Sequence, residues 1–177
     1  MPHPLQLSAW AEDERIKAHV EQNGLKFTTM RRTLVGGSAM PRSLIAKFMD
    51  TYQVEVRHGW GMTETTAAAT MGGLMPAAKG WPAEEKHAHL AKQGRTMFGV
   101  EIKVVDEQGA TLPRDGESQG ELMVRGQWVL SSYFKADRSP LVDGWFPTGD
   151  IATISPDGVM QIRDRTKDVI KTGGEWI

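Results

Sequence analysis

A chain of 177 residues, 40% of them hydrophobic, is long enough for one domain or one and a half with a real core. Its net charge of −1 excludes nucleic acid as the main partner, because phosphate-backbone binding takes clustered Lys and Arg and the one basic cluster, Met30-Arg31-Arg32, is too short. Cysteine is absent, which excludes disulfides, thiolate chemistry and Cys-based zinc sites and fits a reducing cytoplasm, the expected location.

Taken in chain order, the first fifteen residues, "MPHPLQLSAWAEDER", have neither the basic nor the apolar region of a signal peptide. No apolar run reaches about 18 residues, so no membrane span is expected. Ser8 to Gln22 reads as a charged surface helix with Trp10, Ile16 and Val20 as a thin apolar stripe, stopped by Asn23-Gly24. "TLVGG", Thr33 to Gly37, is a short β-branched run closing in paired glycines: a buried strand entering a tight turn. Pro41 then opens a helix whose Leu44, Ile45, Phe48, Met49 and Tyr52 share one face. Val54 to His58 alternates as a second strand. This is α/β grammar, in which ligands sit at the carboxyl ends of strands.

"AEEKHAHLAK" predicts a short helix. Its His87 and His89 are two residues apart, off a common helical face, so both are expected to be solvated and no metal site is expected. After Gly94 the period changes. "VEIKVVD", "GELMVRG" and "IATISPDGVMQIRD" read as short strands between Gly, Pro and Asp turns, and Ser155-Pro156-Asp157-Gly158 is a hairpin signal. The second part is therefore expected to be a small, mostly antiparallel β-subdomain.

Four clusters could carry chemistry, and each has a plain structural alternative. In "GGSAMP" the paired glycines allow close backbone approach to a ligand, or simply a tight turn. In "RHGWGMTETTAAAT" Trp60 stands between Gly59 and Gly61 with a bare indole face fit for stacking. There Thr63 can bond a phosphate oxygen, and Glu64 can hold a hard cation. Equally, Thr63 can be a helix N-cap and Glu64 a favourable first-turn charge. In "DGWFPTGDIA" Asp150 can accept from two neighbouring hydroxyls, as a ribose diol requires, or be a turn residue. In "RDRTKDVIKTGGEWI" flexible cations beside glycines can clamp an anion, or form a solvated charged strand.

The order and spacing are more specific than any one cluster. "LVGGSAMP", "HGWGMTE", "GELMVRGQWVLSSYF", "GWFPTGDIA" and "IRDRTKDVIKTGGEWI" resemble successive motifs of the adenylate-forming superfamily: acyl-CoA synthetases, peptide-synthetase adenylation domains and beetle luciferases. The ending "IKTGGEWI" is most similar to medium- and long-chain fatty acyl-CoA synthetases. The resemblance runs from about Gly24 to the end.

It implies an α/β fold: residues 1–94 as the α/β portion of the large AMP-binding domain, 95–163 as its β-subdomain, and 164–177 as the hinge and start of a small C-terminal domain. It implies ATP (or AMP), Mg²⁺ and CoA as cofactor and co-substrates, with a medium- or long-chain fatty acid as acid substrate. Gly37, with Ser38, would lie beside adenine and the acyl carboxyl. His58 stands where relatives often carry Gln or Asn, so its adenine contact is expected through backbone. Trp60, between Gly59 and Gly61 and followed by Met62, stands where Tyr is commoner and would stack on adenine. Thr63 would bind phosphate and Glu64 would hold the magnesium. Asp150 and Arg165 would hold the ribose, and Lys167 would lie at the hinge. Lys171 and Trp176 would close on the adenylate, while Gly173 and Gly174 would leave room for the pantetheine arm. Of these, Thr63, Glu64 and Lys171 are the expected catalytic residues.

The family's Ser/Thr/Gly-rich phosphate loop and its C-terminal lysine are absent from the sequence, so an excised middle piece is expected. Such a piece would have little or no ligase activity alone, and would be oligomeric or marginally stable. Two other readings stay open from sequence: a non-catalytic nucleotide-binding or association module, and an aryl-acid ligase or luciferase-like parent.

Overall fold

The computed structural model describes residues 18–19, 22–24 and 28–165, the side chain of Arg165 excepted, together with the backbone of 171–172 and 175–176. The helix expected from Ser8 to Gln22 lies outside the described residues except at 18, 19 and 22, which are helical. The chain divides into two compact units, one of residues 1–59 and 72–91, the other of 60–71 and 92–177. The folding is α/β, with parallel and antiparallel pairing both present.

In the first unit, β1 (Arg32–Val35) buries Thr33 and Val35 and exposes Arg32 and Leu34. The strand expected to be buried is thus half-buried, with the period of two that strand geometry gives. It pairs in parallel with β2 (Glu55–Trp60), in register from Arg32 opposite Glu55 to Val35 opposite His58. A parallel pair needs a crossover, and α1 (Arg42–Ala46) begins it. Pro41 has no N–H to lose at this position, and its carbonyl accepts from the Leu44 and Ile45 N–H groups at 3.0 and 3.1 Å.

The expected long helix changes character after Ala46. Lys47–Thr51 is a π-helical turn, and the Tyr52 N–H reaches back five residues to the Lys47 carbonyl at 3.3 Å. The widening still delivers Leu44, Ile45 and Phe48 into a core with Val54, Val56 and Leu90. Ile45 is fully buried, worth about 1.5–3 kcal/mol by area removed from water.

Leu90 comes from α2 (Ala83–Leu90), and here the histidine expectation is corrected. His87 is buried, its Nε2 is 3.2 Å from Asp50 Oδ1, and it lies three residues before Leu90 on the inward face. His89 is half-buried, edge-on to Trp81 with ring centroids 5.3 Å apart.

The second unit is a meander. β5 (Val100–Val105), β6 (Gly120–Gly126), β7 (Phe146–Ile154) and β8 (Met160–Arg165) pair antiparallel in that order, while β3 (Thr70–Met71) and β4 (Arg95–Thr96) pair antiparallel outside this meander. Val100, Ile102 and Val104 point into a core that Leu122, Val124, Phe146 and Ile154 complete. Opposite the core, Glu101 faces Arg125 across the ladder and takes a forked ion pair at 3.1 and 2.8 Å. The Trp145 ring receives the Arg125 guanidinium 4.4 Å and the Lys103 ammonium 4.7 Å from its centroid. The Ser155–Gly158 turn forms as expected, with the Gly158 N–H donating to the Ser155 carbonyl at 2.8 Å. Finally, β9 (Lys171–Thr172) and β10 (Glu175–Trp176) pair antiparallel.

The turn between β5 and β6 carries a pH signature. Hydrogen bonds from the Ser118 hydroxyl and from the Ser118 and Glu117 N–H groups hold the Asp115 carboxyl down to about 2. The folded value lies below the unfolded one, so the turn's contribution is complete above the ordinary Asp range and is lost as pH falls through about 2. Ser118→Ala removes the largest cause and is expected to move the Asp115 titration up toward the ordinary range. Carboxyl ¹³C chemical shifts followed against pH check this, and an unmoved midpoint would contradict it.

Candidate functional site

In the second unit the sequence brings two distant motifs to one point. Trp60 ends β2, and its indole N–H donates to Asp150 Oδ2 at 2.8 Å. The ring is half-buried and the aspartate is buried. Ninety positions separate them, and the bond is charge-assisted, hence among the stronger kinds.

Asp150 is not a turn residue. It sits in the middle of β7 beside a register shift between Ile151 and Ala152, the kind of bulge that re-aims a side chain. Gly149 precedes it at a φ of +74°, a backbone state that costs glycine little and other residues more. The Asp150 N–H donates to Thr148 Oγ1 at 3.1 Å, and that hydroxyl donates to the Leu122 carbonyl at 2.8 Å. Thr148 thereby ties the backbone under the carboxylate to the neighbouring strand.

After Trp60 the chain does not enter the helix that the sequence allowed. Thr63–Thr65 is a single 3₁₀ turn, and Met62, not Thr63, occupies the position before it. Thr65 does the capping: its hydroxyl lies 3.0 Å from both the Met62 N–H and the Met62 carbonyl. Thr66 and Ala67 then take φ of +53° and +73°. Left-handed backbone at a β-branched residue costs on the order of 1–3 kcal/mol and persists only where its surroundings enforce it.

A loop following β6 supplies that enforcement. The Thr66 hydroxyl donates to the Trp128 carbonyl at 2.8 Å, and the Leu130 N–H donates to the Glu64 carbonyl at 2.8 Å. The Tyr133 hydroxyl donates to Glu64 Oε1 at 2.9 Å. That bond to a carboxylate holds the Tyr133 hydroxyl above the ordinary phenol range. Nothing local in "GQWVLSSYF" points to this role beyond a tyrosine directly followed by a second aromatic, Phe134.

Glu64 is half-buried and Thr63 exposed. Among the described residues no group of three or more His, Cys, Asp or Glu could hold a metal ion. One carboxylate suits a hard cation that arrives with other oxygens, as Mg²⁺ does when it keeps waters and substrate phosphates and takes only one or two protein carboxylates.

The first unit holds the other described candidates. Gly37 turns the chain after β1 at a φ of +82°, and Gly37 and Ser38 are exposed. The His58 ring is buried, with Nε2 3.1 Å from the Ser38 carbonyl and Nδ1 3.1 Å from the Ala91 carbonyl. Its side chain thus joins the loop after β1 to the end of α2. Gly59 is half-buried within β2. Lys167, Gly173, Gly174 and the side chains of Arg165, Lys171 and Trp176 lie outside the described residues. No helix of the described residues is long and apolar enough to cross a membrane.

Known proteins resemble this chain in sequence and fold. A family model described as AMP-binding enzyme matches residues 4–134. The chain is 51% identical over 161 residues to 3-methylmercaptopropionyl-CoA ligase of Ruegeria lacuscaerulensis, covering 90% of the chain and 30% of that relative. It is 50% identical over 156 residues to medium-chain-fatty-acid–CoA ligase of Ectopseudomonas oleovorans, covering 88% and 29%. A solved structure of o-succinylbenzoate coenzyme A synthetase from Bacillus subtilis, in complex with ATP and magnesium ion, superposes with a TM-score of 0.71 at 27% identity, covering 93% of the chain and 33% of that structure. The chain therefore spans about a third of the length of these relatives.

Proposed function

Because the chain belongs to the AMP-binding enzyme family, we propose that it forms the adenine-, ribose- and magnesium-binding half of an ATP-dependent fatty acyl-CoA synthetase. The overall reaction joins acid, ATP and CoA into acyl-CoA, AMP and pyrophosphate. An acyl carboxylate oxygen attacks the α-phosphorus and pyrophosphate leaves. The CoA thiol then attacks the acyl carbonyl, and AMP leaves. Two anions must meet in the first step, so positioning and charge neutralisation carry it, and no general base is required of the protein.

The observation that supports this reading is the Trp60–Asp150 hydrogen bond, which joins an indole ring that would stack on a base to a carboxylate that would accept from a diol. Trp60 would stack on adenine, Asp150 would take the ribose hydroxyls, and Thr63 would bond a phosphate oxygen. Glu64 would hold the Mg²⁺ that accompanies the phosphates, and the ion would neutralise their charge. Gly37 and Ser38 would line the nucleotide's surroundings, with His58 acting through its backbone and holding the Ser38 loop through its ring. Arg165 would join the ribose, Lys167 the hinge, and Lys171 and Trp176 the adenylate, with Gly173 and Gly174 beside pantetheine. Residues 1–94, 95–163 and 164–177 would serve as large-domain portion, β-subdomain and hinge. The acids named for the two ligases support an aliphatic acid over an aryl acid.

Two measurements test this. Acid-dependent ATP–pyrophosphate exchange is expected from the complete ligase and little or none from the 177-residue chain alone; robust turnover by the chain alone contradicts the half-site reading. In the complete ligase, Trp60→Ala is expected to weaken AMP binding about tenfold, since base–aromatic stacking is worth about 1–3 kcal/mol. Calorimetry showing undiminished affinity would remove Trp60 from the site.

A further inference from the structure

We propose that Tyr133 positions the Glu64 carboxylate for the divalent cation that accompanies the nucleotide, and that the loop from Trp128 to Tyr133 is the clasp fixing the Thr63–Thr65 turn. The inference rests on Glu64 as a cation ligand, the reading given above.

One loop holds Glu64 at both ends. The Leu130 N–H bonds its backbone carbonyl at 2.8 Å, and the Tyr133 hydroxyl bonds its Oε1 at 2.9 Å. The Thr66 hydroxyl bonds the Trp128 carbonyl at 2.8 Å and locks the far side of the same turn. Among the described residues the Glu64 side chain has no other hydrogen bond or ion pair.

Packing does not account for Tyr133. The residue is 46% exposed, and its neighbour Phe134 is 91% exposed. A free glutamate side chain loses rotamer freedom when a ligand fixes it. A phenol that fixes it beforehand removes part of that cost. The donor is also neutral, so it steadies the carboxylate without cancelling the charge a cation needs; Lys or Arg would cancel it. Hydrogen-bond partners of metal-binding carboxylates typically matter by 10–100-fold in metal affinity or activity.

The test uses Tyr133→Phe in the complete ligase, a change that removes one oxygen from a half-exposed side chain. Mn²⁺ affinity in the presence of ATP, read by electron paramagnetic resonance, is expected to fall about tenfold. AMP affinity measured without metal is expected to stay unchanged. Glu64→Gln serves as the comparison. If Mn²⁺ binding weakens in Glu64→Gln but not in Tyr133→Phe, the positioning role is wrong and Glu64 keeps its own. If neither variant changes Mn²⁺ binding, the cation reading of Glu64 is wrong, and the inference goes with it. Metal-free AMP affinity falling as far as Mn²⁺ affinity in Tyr133→Phe would also overturn it, since a loosened site would then explain both.

Discussion

On the proposed ribose role, Asp150→Ala in the full-length protein is expected to weaken AMP binding by about 100-fold or more. Each hydrogen bond from a hydroxyl to a charged acceptor is worth about 1.5–3 kcal/mol. A carboxylate that receives both ribose hydroxyls therefore contributes at least about 3 kcal/mol, and each 1.4 kcal/mol is a factor of ten. A second effect must be separated from this one. The Trp60 indole N–H donates to Asp150 at 2.8 Å, so the alanine variant also orphans a half-buried donor, at a stability cost of about 1–3 kcal/mol. Comparing AMP with 2′-deoxy-AMP separates them. Loss of a ribose contact erases the preference for AMP, whereas a disturbed Trp60 weakens both ligands alike. Calorimetry that finds the preference intact in Asp150→Ala would remove Asp150 from the sugar.

What the sequence displayed well was whatever local chemistry decides. Strands β5 to β8 were legible because Val100, Ile102 and Val104 alternate with Glu101 and Lys103, and because Gly, Pro and Asp mark the turns. The α/β order from Thr33 to His58 was legible for the same reason. Three features were not. The π-helical turn at Lys47–Thr51 changes the hydrogen-bond partner and leaves the apolar spacing almost untouched, so Leu44, Ile45 and Phe48 look helical either way. His87 was misjudged because burial came from a distant partner, Asp50, which spacing within its own helix cannot announce. The stretch after Gly61 has the composition of a helix start, yet the loop bonds from Trp128, Leu130 and Tyr133 hold it as a strained turn. Tertiary contacts there override propensity. In the candidate site, residue types suggested roles for Trp60 and Asp150 separately. Their meeting across 90 positions was implied by motif order alone, since periodicity carries no long-range information.

Gly61→Ala is expected to cost both stability and, in the full-length protein, activity, because the position leaves no room for a methyl group. A Cβ built on Gly61 would stand 2.2 Å from the Ala67 carbonyl oxygen and 2.7 Å from both the Ala67 carbonyl carbon and the Ala68 Cα. These are backbone atoms, so no side chain can swing aside. They cannot retreat cheaply either, since the Ala69 N–H is bonded to the Trp60 carbonyl at 2.9 Å and Ala69 is fully buried. The turn must open, at about 1–3 kcal/mol for forced overpacking, or roughly 2–4 °C of melting temperature per kcal/mol in a domain of this size. Thr63 and Glu64, the proposed phosphate and cation groups, ride on that turn, and a displacement of about 1 Å at groups that position a reaction costs on the order of 100-fold. Gly80→Ala is the matched control: nothing lies within 4 Å of its added Cβ, so its melting temperature and exchange rate are expected to stay near those of the unaltered protein. A Gly61→Ala protein that melts and turns over like the Gly80 control would mean that the chain does not fold back tightly on itself between Trp60 and Ala69. The clasp on Glu64 would then have no strained turn to hold.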